Sequence, residues 1–125
     1  MDGSFVLETT LSSGRTVQLI PEAKRHGFTV GLVYICVPDA EIAVMRVGDR
    51  VVKGGHNIPE DTIRRRYERS LTNAAEAFRL ADSAIVFDNS GQAPREVMTI
   101  EYGAVTWRAA ALPPWLRTIC QALSA

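Results

Sequence analysis

Lysine is nearly missing from this chain. Of fourteen basic residues only Lys24 and Lys53 are lysine, and the other twelve are arginine. Acidic residues also number fourteen, so the formal net charge is zero. A chain without excess positive charge is not built as a general nucleic-acid binder, whose affinity rests on neutralised phosphates. Cysteine is scarce too. Cys36 and Cys120 stand far apart in apolar settings, so two buried thiols are expected. No Cys-x-x-Cys or Cys/His cluster suggests zinc. No segment reaches the ~20 apolar residues of a membrane span. The opening MDGSFVLETT has neither a basic start nor a long apolar run, so no signal peptide is expected and a cytoplasmic location is.

Several catalytic signatures are also absent. A phosphate-binding P-loop needs G-x-x-x-x-G-K followed by Ser or Thr, whose backbone amides and lysine cradle phosphate. The sequence has no such run, and Gly14-Arg15-Thr16 cannot replace it. There is no G-x-S-x-G elbow and no metalloprotease motif.

What is present is one domain's worth of chain, 125 residues with 46% hydrophobic and 22% charged. Ser4 to Leu7 reads as a strand continued by Glu8-Thr9-Thr10. Arg15 to Arg25 carries Val17, Ile20 and Ala23 at helical spacing, with Pro21 interrupting, so that helix either spans the proline or begins near it. Thr29 to Val37, TVGLVYICV, is almost continuously apolar and predicts a strand buried on both faces. Pro38-Asp39 opens a helix with Ile42, Met45 and Val52 expected on its inner face, ending at Gly54-Gly55. Pro59-Glu60-Asp61 opens the next helix, which runs to about Leu80 on a stripe of Ile63, Tyr67, Leu71, Ala74, Ala75 and Phe78. Ser83 to Phe87 is another buried strand. Val97 to Ile100 and Ala104 to Trp107 form a hairpin around Tyr102-Gly103, and Pro113-Pro114 starts a last short helix. Strands alternating with helices predict an α/β fold with a parallel sheet. Ligands of such sheets bind beyond the carboxyl ends of the strands. Glu8-Thr9-Thr10, Asp39 and Asp88-Asn89-Ser90 stand there.

Arginine is where the chemistry concentrates. Arg46 and Arg50 are four apart on one helix; Arg64, Arg65, Arg66 and Arg69 begin the next. The GGHNIP turn folds the two groups together. Guanidinium groups bind phosphate bidentately and stabilise charge on a transferring phosphoryl group. The competing reading pairs them with Glu41, Asp49, Glu60, Asp61 and Glu68 on solvated faces. Three consecutive arginines point different ways around a helix, so one of them is expected beside Ile63 and Tyr67. Gly54 and Gly55 permit a lid hinge or simply end a helix. His56 either donates to phosphate or caps the turn. Glu8 suits a substrate hydroxyl, a metal ion's water shell or a turn cap. Asp88 and Asn89 contact a nucleotide base or terminate their strand.

The strings ETTLSS, AVMRVGDRVVKGGHNIPEDTIRRRYERSL and ADSAIVFDNSG resemble the zeta-toxin-like P-loop kinases, over Phe5 to Arg95. The resemblance implies a partial P-loop kinase-like parallel sheet flanked by helices, with a helical lid over about residues 46–69 and a C-terminal β-hairpin. It implies ATP with Mg2+ as cofactor and phosphoryl transfer to a small molecule. Glu8 would then lie near the acceptor, with Thr9 and Thr10 beside it. Arg46, Arg50, Arg64, Arg65 and Arg66, with His56, would reach the nucleotide phosphates, and Arg50, Arg65 and Glu8 would serve catalysis. Asp88, Asn89 and Ser90 would flank the adenine. The family's Walker A lysine has no counterpart here, so the chain looks like a carboxyl-terminal half, a single domain over residues 1–125. Two expectations follow. One is a split kinase that takes its P-loop from another polypeptide, with an antitoxin as a further partner. The other is a non-catalytic remnant that binds nucleotide or anion, or self-associates through a bared sheet edge or face.

Overall fold

A computed structural model describes residues 3–9, 14–37, 39–91 and 93–124. Its elements run β1 (Gly3–Thr9), α1 (Arg15–Arg25), β2 (Phe28–Cys36), α2 (Ala40–Val52), α3 (Glu60–Leu80), β3 (Ser83–Asp88), β4 (Arg95–Glu101), β5 (Ala104–Arg108) and α4 (Pro114–Ser124). This is the order that the patterning predicts, and the class is α/β. The sheet is mixed rather than wholly parallel: β1, β2 and β3 are parallel, and the β4–β5 hairpin adds antiparallel strands. Tyr102 and Gly103 turn that hairpin, and both take positive φ, as a tight two-residue turn requires.

Local chemistry explains the boundaries. Asp39 caps α2 by accepting a hydrogen bond from the Ile42 amide at 2.9 Å. The far end of α2 closes with paired bonds from Gly54 N to Val51 O (3.0 Å) and from Gly55 N to Arg50 O (2.7 Å). That is a Schellman closure, and Gly54 sits in it at φ +96. The glycine pair therefore ends a helix. Helix α1 continues through Pro21. A proline inside a helix costs about 3 kcal/mol; here the helix is held on the core by fully buried Ile20, with Val17 and Ala23 packed beside it.

Strand order decides which faces are covered. The sheet runs β1-β2-β3-β4-β5 without reversal. Parallel crossovers are right-handed almost without exception, so successive crossovers in one direction place their helices on one face. Ile20 of α1, Ala74, Ala77 and Phe78 of α3, and Trp115, Leu116 and Ile119 of α4 accordingly share one cluster with Val30, Leu32 and Tyr34 of β2. Strand β2 is thus not buried on both faces, as its apolar run suggests. Val30, Leu32, Tyr34 and Cys36 are buried, and Gly31, Val33 and Ile35 between them are only half-buried. Likewise Ile85 of β3 is 37% exposed.

Helix α2 corrects a second expectation. It contributes no buried residue. Met45 is 60% and Val52 87% exposed, so the Ile42, Met45, Val52 stripe is not its inner face. The helix packs chiefly on α3 and presents Ala43, Arg46, Val47 and Arg50 to a cleft.

Candidate functional site

The cleft lies where the sheet's chemistry predicts, at the carboxyl ends of β2 and β3. Ile35, Cys36 and Val37 form its floor and Asn89 one rim. Two helices wall it with the same spacing. Helix α2 offers positions 43, 46, 47 and 50; α3 offers Ile63, Arg66, Tyr67 and Ser70. Each set is i, i+3, i+4, i+7, one face of a helix. The helical hairpin therefore brings Arg46, Arg50 and Arg66 to one space of about 340 Å³. No carboxylate among the described residues lines it. Three arginine side chains among apolar walls, with Asn89 and Ser70 as neutral polar groups, are a combination suited to an anionic group carried on an organic body.

Hydrogen bonds fix α3 against the strand. Tyr67 Oη donates to the Val37 carbonyl at 3.0 Å, and Tyr34 and Ser70 share a buried hydroxyl bond of 2.6 Å. Burial drives the ionisation of Tyr34 and Tyr67 well above the ordinary phenol range, so both hydroxyls stay neutral. The Cys36 thiol is pushed up by burial as well. This is a structural thiol and not an activated one. Ser70 and the β2 backbone escape sequence reasoning about the site. The signal for Ser70 is its place at i+7 from Ile63, a polar residue on an apolar stripe.

The other arginines go elsewhere. Arg64 pairs with Glu41 and Glu60, and its ionisation is raised by those two hydrogen-bonded carboxylates. Arg65 is exposed and bonds back to the Asp61 carbonyl (3.4 Å) and Thr62 Oγ1 (3.3 Å). Of the three consecutive arginines, Arg66 is the one beside Ile63 and Tyr67. One turn of helix carries its neighbours away, and Arg64 and Arg65 are not brought to the cleft. His56 is exposed on the connecting loop and does not line it either.

At the end of β3, Asp88 is 5% exposed and turned toward the helices, not the cleft lining. Its Oδ2 accepts from Ser90 Oγ at 2.9 Å and faces Arg95 at 3.7 Å; its Oδ1 has no partner. Asn89 donates its amide to Cys36 O at 2.7 Å and lines the cleft. Glu8 is exposed and pairs in register with Val33. It shares a sheet face with Ile35, one strand over and two residues further toward the carboxyl end, roughly 8 Å away at ordinary strand spacings. Glu8 is therefore beside the mouth of the cleft rather than in it. Thr10 lies outside the described residues, as does the Thr9 side chain.

Comparison with known proteins gives a lineage. Part of the chain is similar to an uncharacterized protein of Haemophilus influenzae, 43% identical over 63 residues, which is 50% of this chain and 45% of that protein. The matched segment thus spans less than half of the relative's length. No solved structure matches the chain. The family description "Zeta toxin" matches residues 2–94, which include β1, the arginine-walled hairpin and β3. The chain belongs to the Zeta toxin family.

Proposed function

We propose that this chain is the lid-bearing portion of an ATP-dependent small-molecule kinase. The observation that carries the reading is the convergence of Arg46, Arg50 and Arg66 on one carboxylate-free cleft at the carboxyl ends of parallel strands. Phosphoryl transfer is catalysed chiefly by positioning and by stabilising charge on the equatorial oxygens. Guanidinium groups from two helices suit that task. They would hold the terminal phosphates from opposite sides, each able to offer a bidentate fork to phosphate oxygens. Asn89 offers an amide beside the same space. Glu8, on the adjoining sheet face, is placed to accept a hydrogen bond from an acceptor hydroxyl brought to the cleft mouth.

The residues fit the phosphates and do not fit the metal. Among the described residues no group of three or more His, Cys, Asp or Glu is arranged to hold an ion. The sequence also lacks the P-loop hydroxyl that normally binds magnesium in such enzymes. Magnesium would arrive with the nucleotide, and no step here depends on it. The reading therefore requires a polypeptide that carries the P-loop.

Titration calorimetry with ATP and magnesium tests the phosphate site. Binding weakened about tenfold or more by Arg66→Gln, and left unchanged by Arg65→Gln, is the expected result, since a charge-assisted bond contributes about 1.5–3 kcal/mol. Equal losses in the two variants would remove the cleft from the account. A second reading, a non-catalytic anion-binding protein, is favoured by the missing Walker A run. ATP binding without turnover, with or without an added P-loop polypeptide, would select it.

A further inference from the structure

The sheet has a face that nothing in the fold covers. Strand partners in register share a face, and alternation assigns Val6, Val33, Ile35, Ile85 and Phe87 to this one. Val6 is 69% and Ile85 37% exposed, and Val33, Ile35 and Phe87 are half-buried. The charges around them are all of one sign. Glu8 stands in the row of Val33 and Ile85; Glu96 pairs in register with Phe87, and Glu101 with Ser83. All three carboxylates are exposed, and none takes part in an ion pair among the described residues. No strand residue on this face is lysine or arginine. An apolar centre with a charged rim is the anatomy of a protein interface.

We propose that this face is a docking surface for a basic amphipathic helix of another polypeptide. The spacing of the carboxylates carries the fit. The apolar centre lies mainly on β2 and β3, with Glu8 on β1 at one side and Glu96 and Glu101 on β4 at the other. Strands β1 and β4 are three strand spacings apart, about 14 Å. A helix with its side chains is about 10–12 Å across, so one helix laid along the strands fills that strip and has carboxylate on each flank. Along β4, Glu96 and Glu101 are as far apart as their partners Phe87 and Ser83, about 13 Å. Basic residues seven apart on one helix face stand about 10 Å apart, and their long stems cover the remainder.

Other occupants answer the charge less well. A second copy of this face brings three more carboxylates and no cation to meet them. Nucleic acid and anionic lipid surfaces are repelled by the rim. A second sheet, packed at about 10 Å, covers the flanking carboxylates along with the centre, and burying an unpaired carboxylate is costly. A helix leaves each carboxylate at its side, open to water and within reach of a lysine or arginine.

The probe is a fluorescein-labelled peptide of about fourteen residues, leucine and lysine alone, with leucine at helical spacing. The 125-residue chain is titrated into it without nucleotide, and fluorescence anisotropy is read. Saturable binding is expected. A scrambled peptide of the same composition should bind at least about tenfold more weakly, because its leucines share no face. The Glu96→Lys, Glu101→Lys double variant should also lose at least about tenfold, since like charges then meet at the flank. Ile85→Lys should lose as much. Glu96 and Glu101 are exposed, so the double variant should melt like the wild type, and it decides the matter even where Ile85→Lys is less stable. No binding at about 0.1 mM chain overturns the proposal. So does binding that is equal for the scrambled peptide or indifferent to these lysines. A chain that dimerises without peptide and becomes monomeric with Ile85→Lys overturns it too, because a second copy would then hold the face. None of these outcomes depends on the phosphate reading.

Discussion

A single carbonyl oxygen shows how tightly the turn after α2 is specified. A Cβ added at Gly55 would lie 2.9 Å from Arg50 O, a backbone atom that cannot swing away. Gly54 has open space around it but a φ of +96, which costs an L-residue about 1–2 kcal/mol. The two glycines are thus required for different reasons, one steric and one conformational. Helix α2 buries no residue, so the penalty should appear first as local opening. For Gly54→Ala, hydrogen exchange of the α2 amides is expected to quicken about tenfold, the equivalent of ~1.4 kcal/mol, with β2 unchanged. Uniform quickening across β2 would mean that α2 and the core unfold as one unit.

Buried ionisable groups give a second prediction at this scale. Burial raises the thiols Cys36 and Cys120 and the phenols Tyr34 and Tyr67 in the folded chain. The unfolded chain ionises earlier, near pH 8.5 for cysteine and about 10 for tyrosine. Between those values and the raised ones the unfolded state holds fewer protons, so stability falls as pH rises. Urea midpoints should be flat below about pH 8, decline from about 8.5, and steepen above about 10, by up to ~1.4 kcal/mol per unit per group. Cys36→Ala should make the first decline shallower, and the double Cys36→Ala, Cys120→Ala variant should abolish it. A midpoint that rises with pH in that window would contradict the assignment of these groups as buried and neutral.

At the scale of elements, the sequence reveals order better than orientation. Runs such as TVGLVYICV and SAIVF, with glycine and proline between them, mark β2, β3 and the helices because β-branched residues and turn formers act locally. The inner face of α2 was not legible in the same way. Hydrophobicity points to Ile42, Met45 and Val52, whereas the helix turns Ala43, Arg46, Val47 and Arg50 inward. Arginine stems are apolar enough to wall a cleft, so a pattern search that scores arginine as polar selects the wrong stripe. Helix α3 shows the opposite case. Its stripe was legible because Ala74 and Phe78 pack into the shared core, with Tyr67, Leu71 and Ala75 against it. One anchor can be removed cleanly. Tyr67→Phe deletes the hydroxyl that holds α3 to Val37 O and should cost about 1 kcal/mol. On the proposed function, phosphate affinity should fall with it, because Arg66 adjoins the anchor. An unchanged affinity would show that α3 keeps its rotation without that bond.

For the whole molecule, coverage of the sheet could not be read from any segment, because it depends on strand order. A doubly wound sheet reverses direction and covers both faces; this one runs straight from β1 to β5. Cooperative stability follows the same logic and separates the limits of the family from those of the fold. The Zeta toxin match ends at residue 94, but the core does not. Val97, Met98 and Ile100 of β4 and Trp115, Leu116 and Ile119 of α4 are all buried in the shared cluster. Burying one large apolar side chain contributes about 1.5–3 kcal/mol, so these six together supply about 9–18 kcal/mol as an upper figure. A domain's net stability is only about 5–15 kcal/mol. Removing residues 95–125 would also bare Tyr34 and the Val86 side of β3, which Trp115 and Met98 now cover. A fragment of residues 1–94 should therefore show no cooperative melt by circular dichroism and should bind an apolar dye, although it holds every arginine of the cleft. A sharp thermal transition in that fragment would mean that the hairpin and α4 only decorate a core able to close by itself.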